Sequence, residues 1–523
     1  MHSSIAWQND ADIQPQAAGQ SRRTNNANVQ VTRSEPSLPT TSEQPAIDGA
    51  ARVRYDQPAL ASASTIYASS ISHDRTTQSA YSSMISQADG QNTREKQGRE
   101  YDEGASVYSY NSFRDINNYV KELHGRIFNN LNDAYLLPSD RDEWARLDKQ
   151  GSAIAIGFGG LYPCPEVIDA VLLPEEGGRT KRILDIGCGT GTWAIQMANK
   201  FPHTSVLGVD LAPPPVDRTS LPPNLSLEID DVNYGLRHFS DQFDLVHMRC
   251  VSGGITNIDQ TLLDLQNCLR PGGVLLIVDG DISILSEDRK TLQPFKRLPG
   301  DGGPEVTSVS EQGSWFRRLL WEACVACEIS GACLTRTDEV NDLGLWDAPL
   351  CDPETACSGG IDLPIGPWPR GGDLGETQLL QYVGILMRQN LSSIHRAYHG
   401  IMLKAGMDQA TLDEWSNNVE KELRDLNPRM WLRFRFMMAR RRAGENLPAP
   451  PLPTVQTPDL STSAAQELED AETRRRTRVQ YPAMDIYHTR EENMARMRQR
   501  RSTFGVFPTS AVQANWDKIH SES

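Results

Sequence analysis

Apolar positions along this 523-residue chain change their spacing several times, and each change marks a different element. Up to about residue 111, isolated apolar residues sit among Ser, Thr, Gln, Asn and Asp with neither helical nor strand periodicity. That pattern predicts a disordered arm over residues 1–112. From residue 113, "FRDINNYVKELHGRIFNNLNDAYLLP" places Ile116, Val120, Leu123, Ile127, Phe128 and Leu131 on one helix face. "SDRDEWARLDKQ" follows with Ser139 and Asp142 in a capping-box relation, so two helices are expected before residue 182. Beyond it, "RILDIG", "SVLGVDL", "LSLEIDDV", "FDLVHMRC" and "GGVLLIVDG" read as strands, and "TWAIQMANKF" and "IDQTLLDLQNCL" as helices. Strands apolar on both faces and separated by helices call for a mostly parallel sheet covered on both sides, an α/β doubly wound, Rossmann-like domain.

The pattern loosens after residue 279. "DGDISILSEDRKTLQPFKRLPGDGGPEV" reads as a loop over the cleft, residues 312–333 as a long helix or helix pair, and 379–426 as further helices. "WLRFRFMMARRR" alternates as a closing strand. "LPIGPWP" is a stiff turn whose Trp368 either anchors packing or floors a pocket. "GENLPAPPLPTVQTPDLSTSAAQ" then opens a Pro-rich, charged tail, so the folded unit is expected to span 113–442 and the tail 443–523 to be disordered.

Composition narrows the partners. Lys and Arg total 52 against 68 Asp and Glu, a formal charge of −16, which argues against wrapping of nucleic acid by the whole molecule. The tail carries basic runs at 474–478 and 496–501, read as solvated charge or, alternatively, as nuclear-import or nucleic-acid patches. No apolar span approaches the roughly 20 residues of a membrane helix, and the start lacks the order of a secretory signal. A soluble protein of the nucleus or cytoplasm, away from membranes, is expected. Its nine cysteines are then reduced. Cys324 and Cys327 fall in a helical pattern with no second CxxC, so no metal site is expected.

The candidate chemistry lies in "LDIGCGTG". No Lys follows these glycines, which excludes a P-loop, and Gly187, Gly189 and Gly191 are spaced GxGxG rather than GxGxxG, which moves nicotinamide and flavin to second place. Asp185 puts a carboxylate beside the loop, which would repel a pyrophosphate and attract an ammonium or sulfonium. Asp210, ending the next strand, is spaced to accept both hydroxyls of a ribose. An adenosine joined to a cationic amino acid satisfies all three features.

These residues resemble the class I S-adenosyl-L-methionine-dependent methyltransferases, through "LDIGCGTG", "GVDL", "EIDDV", "FDLVHMRCV" and "LRPGGVLLI" over residues 181–279. "PPNLSLEIDDVNYG", "HMRCVSGGITN", "YLLPSDRDEWARLDKQ" and "LPIGPWP" extend the likeness, over about 135–440, to fungal velvet-associated methyltransferase-like regulators of secondary metabolism and development. The resemblance implies that Asp185, Gly187, Cys188, Gly189 and Gly191 line the methionine end. By the same token Asp210 binds ribose, Leu211 covers an adenine face, and Asp231 with Val232 meets the adenine edge. Cys188 is read as a small side chain tolerated in a tight loop. His247 is the candidate general base, with a satisfied interior histidine as the alternative. The acceptor is an unidentified small molecule or protein side chain. The chain lacks the Asp/Asn-Pro-Pro-aromatic and Pro-Cys signatures of DNA methylation. The second functional reading is a nuclear regulator that binds the cofactor and acts mainly through partner proteins.

Overall fold

The computed structural model describes residues 116–123, 125–175, 177–295, 313–452, 484–502 and 510–521. The expected N-terminal arm and the basic run at 474–478 lie outside these residues. Within them, an eight-stranded sheet runs in the order β12 (Met484–Tyr487), β10 (Cys351–Ile365), β11 (Met430–Arg441), β7 (Leu269–Ser286), β6 (Phe243–Arg249), β3 (Arg182–Ile186), β4 (Ser205–Asp210), β5 (Leu225–Ile229), and β8 (Gln293–Pro294) and β9 (Gly313–Ser314) form a separate short pair.

Its parallel half grows from the apolar runs. Strand β3 (Arg182–Ile186) is buried over its last four residues and pairs in parallel with β4 (Ser205–Asp210) on one side and β6 (Phe243–Arg249) on the other. β5 (Leu225–Ile229) extends the β4 side, and β7 (Leu269–Ser286) the β6 side. The chain therefore leaves β3 in one direction and later returns to its other flank, which opens a crevice at the carboxyl end of β3. Helices α1 (Arg141–Phe158), α2 (Pro165–Val171), α3 (Thr192–Lys200) and α4 (Ile258–Cys268) accompany this half.

Three regions differ from the sequence expectation. Residues 120–123 and 126–129 are not helical: β1 (Val120–Leu123) and β2 (Arg126–Asn129) form an antiparallel hairpin. Gly125, at φ 72°, provides the turn, and the β-branched Val120 and Ile127 suit strands despite their helix-like spacing. The cap of α1 is Asp140, not Ser139: its side chain accepts from the Glu143 amide. Finally, the segment read as a loop after residue 279 continues β7 to Ser286. β6 stops at Arg249, so the far half of β7 pairs with β11 (Met430–Arg441), with a register shift between Leu432 and Phe434, and turns back on itself through an antiparallel bridge between Leu285 and Thr291. Helices α5 (Trp315–Ile329), α6 (Leu334–Leu343), α7 (Leu374–Ala397), α8 (His399–Lys404) and α9 (Gln409–Asp425), together with strand β10 (Cys351–Ile365), complete this half. Cys324 and Cys327 lie on α5. Trp368 meets Trp431 edge-on, ring centroids 4.8 Å apart, in the packing role.

Parts of the expected disordered tail belong to the fold. Strand β12 (Met484–Tyr487) pairs antiparallel with β10, and helix α10 (Arg490–Arg501) follows behind a capping box between Thr489 and Glu492. Helix α11 (Ala511–Ser521) starts on Glu322 of α5, whose buried carboxylate accepts from the Ser510 hydroxyl and the Ala511 and Val512 amides. These short, polar segments have little intrinsic periodicity. A sheet edge and buried acids supplied by residues more than a hundred positions earlier order them.

Candidate cofactor and acceptor site

The crevice at the end of β3 is built around the glycine loop. Gly187, Gly189 and Gly191 have φ of 65, 57 and 73°, the left-handed region that side chains disfavour. A Cβ on Gly187 would fall 2.4 Å from Val251 Cγ2, so that glycine is required for packing. A Cβ on Gly189 would meet only Leu147 Cδ1, at 3.5 Å, so there the bare backbone faces open cleft. Gly191 serves as N-cap of α3 and does not line the cleft.

Asp210 ends β4 across the loop. Its Oδ2 accepts the Gly189 amide at 2.7 Å and its Oδ1 the Ala212 amide at 3.1 Å, which fixes the carboxylate with lone pairs to spare for two hydroxyls. Burial raises its pKa, and those amide bonds oppose the shift. Asp231 caps the turn after β5 by accepting from the Asn233 amide and side chain, and burial raises its pKa too. Gly187, Cys188, Gly189, Asp210, Leu211, Asp231 and Val232 all line one cleft. The Cys188 thiol is pushed well up by burial and by the Asp210 and Asp185 charges, so it stays protonated and is no nucleophile.

Two expected site residues lie beneath the cleft instead. Asp185 is buried on β3 and receives a hydrogen bond from His247 Nδ1 at 2.8 Å. His247 stacks on Trp193, centroids 3.8 Å apart, and burial lowers its pKa against the opposing effect of Asp185. Neither side chain lines the cleft. His247 is therefore the satisfied interior histidine, because parallel register sets it directly beside Asp185 in the sheet.

The opposite wall was not assigned from sequence. Asp148 of α1 accepts from the Thr190 and Thr192 hydroxyls at 2.8 and 2.9 Å, tying the helix to the loop. Tyr135 reaches the cleft from a segment held by Asn129 and Asn132. Asn129 Oδ1 accepts the Leu131 and Asn132 amides, Asn132 Oδ1 the Ala134 and Tyr135 amides, and Asn132 Nδ2 donates to the Gly254 carbonyl. Arg249, at the end of β6, would lie 3.3 Å from a Cβ on Gly151 and is the cation among the described cleft-lining residues. A helix-period reading of 113–138 hid this wall, although the Asn-rich "NNLND" was a loop signal.

A second cavity adjoins the first, and Tyr135, Leu147, Gln150 and Cys250 line both. It sits over the far half of β7, beneath α5, α7 and α8. At the junction Cys250 adopts φ 57°, uncommon for a side-chain-bearing residue, and burial pushes its thiol up to about 12.

The comparisons with known proteins agree with this geometry. Residues 162–322 match the model of a methyltransferase domain. The secondary metabolism regulator laeA of Coprinopsis cinerea is 39% identical over 325 residues, 61% of this chain and 74% of that protein. The methyltransferase str2 of Strobilurus tenacellus is 35% identical over 147 residues, and the match spans about half (49%) of its length and 28% of this chain. The methyltransferase pytC of Aspergillus terreus is 29% identical over 272 residues, 51% of this chain and 70% of that protein. A glycine loop that leaves its backbone bare beside a ribose-spaced carboxylate fits S-adenosyl-L-methionine. The chain belongs to the family of S-adenosyl-L-methionine-dependent methyltransferases that includes the laeA protein of C. cinerea.

Proposed function

We propose that this protein holds S-adenosyl-L-methionine in the glycine-loop cleft and methylates an acceptor seated in the adjoining cavity. The observation that carries this reading is the junction itself: four residues line both spaces, so an acceptor can approach the donor without crossing solvent. When bound, the cofactor supplies an electrophilic methyl on a sulfonium. The chain's own residues bind and orient. The backbone at Gly187 and Gly189 packs against the methionine portion, Asp210 accepts the ribose hydroxyls, and Leu211 covers one adenine face. Asp231 and Val232 meet the adenine edge, and Arg249 receives the amino-acid carboxylate. Asp185 contributes its negative charge from below the loop, while His247 keeps it in place. The test is methyl-labelled cofactor incubated with the protein and a cell extract, followed by separation of labelled proteins from labelled metabolites. Label in metabolites is expected. Label in neither fraction, beside measurable S-adenosylhomocysteine binding, would reject the enzyme reading.

A second reading is favoured by the C. cinerea relative, whose name describes a regulator of secondary metabolism. On it, the chain binds the cofactor, resides in the nucleus and acts mainly through partner proteins. The basic run at 496–501 lends that reading little support, because Arg500 and Arg501 are paired with the chain's own Asp281 and Asp342. Among the described residues no helix is long and apolar enough to cross a membrane.

A further inference from the structure

The second cavity has a chemical character that restricts its occupant. Its walls are mainly apolar, with Ile284, Phe316, Leu320, Leu391, Ile394 and Phe434 among them. The charged groups that reach it are nearly all neutralised. Arg146 donates to both oxygens of Glu143 at 2.6 and 2.9 Å and to Gln150 and Asn390 at 2.7 and 2.8 Å. Asp281 faces Arg435 and Arg500. A phosphate or other fixed anion would find no free cation among the described lining residues, and an ammonium would exchange its full hydration for a single buried carboxylate, Asp279, a pairing whose desolvation cost offsets its attraction.

Asp279 is the exception. It lies on β7 just past the end of β6, makes no ion pair among the described residues, and has one oxygen on the Gly280 amide at 2.8 Å with the Ser252 hydroxyl also bonded to it. It lines the second cavity together with Cys250, Ser252 and Gly280. Burial lifts its carboxyl to about 6, so at neutral pH it is mostly ionised yet a far better proton acceptor than an exposed aspartate. Near it, the Tyr135 phenol is held protonated by burial and the Cys250 thiol likewise, so neither competes as a base.

We propose that the second cavity receives an apolar small molecule bearing one ionisable hydroxyl, phenolic or enolic, and that Asp279 takes the hydroxyl proton as the methyl arrives. The proposal rests on the cofactor assignment above. The balance is simple: the oxygen–methyl bond forms as the sulfonium–methyl bond breaks, the sulfonium becomes a neutral thioether, and the proton moves to the Asp279 carboxylate. A neutral hydroxyl enters a dry cavity without shedding charge. An aliphatic amine would first have to lose a proton.

Three probes sharing one ring separate the alternatives: 1-naphthol, 1-naphthylmethylamine and 1-naphthyl phosphate, each titrated calorimetrically into the full chain saturated with S-adenosylhomocysteine. The first is expected to bind at least about tenfold more tightly than the other two, the discrimination expected for keeping fixed charge out of an apolar cavity. Ala323→Trp, which fills the cavity from α5, and the milder Cys324→Phe are expected to weaken 1-naphthol binding by at least about tenfold while S-adenosylhomocysteine binding stays within about twofold. Asp279→Asn is expected to leave 1-naphthol affinity within about threefold but to slow formation of 1-methoxynaphthalene at least about 100-fold. Equal or tighter binding of the amine or phosphate overturns the substrate class, and undiminished 1-naphthol binding in both cavity-filling variants overturns the location. Wild-type binding without ether formation, or undiminished ether formation by Asp279→Asn, overturns the role of Asp279. Loss of S-adenosylhomocysteine binding in the wild type would instead strike the cofactor assignment, so the two failures are distinguishable.

Discussion

At the scale of single residues, the site depends on a few positions where a side chain would be in the way or a carboxylate is already partly committed. Gly189→Val puts a branched side chain at φ 57° into open cleft. The strained conformation is expected to cost about 1–2 kcal/mol of stability, and binding of S-adenosylhomocysteine is expected to vanish while circular dichroism keeps the native signal. Wild-type affinity in that variant would mean the loop does not touch the ligand. Asp210→Ala removes the proposed ribose acceptor and also orphans the Gly189 and Ala212 amides. Calorimetry should report a loss of about 2–3 kcal/mol in binding, the range for charge-assisted hydrogen bonds. His247 gives a pH prediction. Its pKa is lowered in the folded state, mainly by burial, so its contribution to stability is present above the unfolded value near 6.5 and is lost as pH falls below it. His247→Gln should lower the thermal midpoint at pH 7, because Asp185 loses its partner, but flatten the decline between pH 7 and 5 relative to wild type. Parallel declines would show that His247 does not titrate on unfolding. The placement of Gly187, Gly189 and Asp210 at one cleft was legible because their spacing follows from the loop and strand geometry, and that of Asp231 through the family resemblance. The satisfied state of His247 was not, since alternation along β6 leaves its face undecided until β3 sets Asp185 beside it.

At the scale of elements, long apolar strands announce themselves, while short polar segments are recruited by surfaces that sequence does not display. β3 to β6, and β7 as far as Val278, could be read directly, because a strand buried on both faces needs an unbroken apolar run. β12 and α10 could not. Their order comes from the β10 edge and from a buried ionic cluster in which Arg500 pairs with Asp281 and Asp342, Arg501 with Asp342, and Arg435 with Asp338 and Asp342. Asp281 is held below the usual carboxylate range by Arg500 and Arg435 against the desolvation that would raise it. Removing one member of such a cluster leaves buried charge uncompensated. Arg500→Met is therefore expected to lower unfolding free energy by about 3 kcal/mol in urea titrations, whereas the same change at the exposed Arg490, paired with Asp347 on the surface, should leave stability nearly unchanged. Equal effects at the two positions would mean that α10 does not dock through its last turn. The capping box at Thr489 and Glu492 was a local sign of this helix, but α10 is too polar to carry an apolar stripe of its own.

At the scale of the molecule, the cofactor cleft and the C-terminal additions are separable in sequence yet share one sheet. Every residue lining the cleft falls between Tyr135 and Gly254, whereas the adjoining cavity draws on residues as late as Phe434, and its Asp281 is gripped by Arg500. Donor chemistry was accordingly readable from one compact stretch, and the acceptor side was not, because its walls assemble from β7, α5, α7, α8 and β11 only after folding. The division leads to a measurable asymmetry. A ligand that binds only the native state stabilises it by mass action, about 2.7 kcal/mol at a concentration 100 times its dissociation constant. S-adenosylhomocysteine at that excess should therefore raise the unfolding free energy of the wild type by about this amount. Arg500→Met should gain the same increment from its lower baseline, since Asp281 and Asp342, with which Arg500 pairs, do not line the cleft. In native-state hydrogen exchange, the added protection should concentrate in α1, the glycine loop and α3, with β12 and α10 gaining protection only to the extent that they open by global unfolding. If the ligand protected α10 as strongly as the glycine loop in the wild type, and if Arg500→Met lost most of its response to ligand, the two halves would be coupled through Asp281 rather than independent, and the tail would belong to the cofactor site as well as to the acceptor cavity.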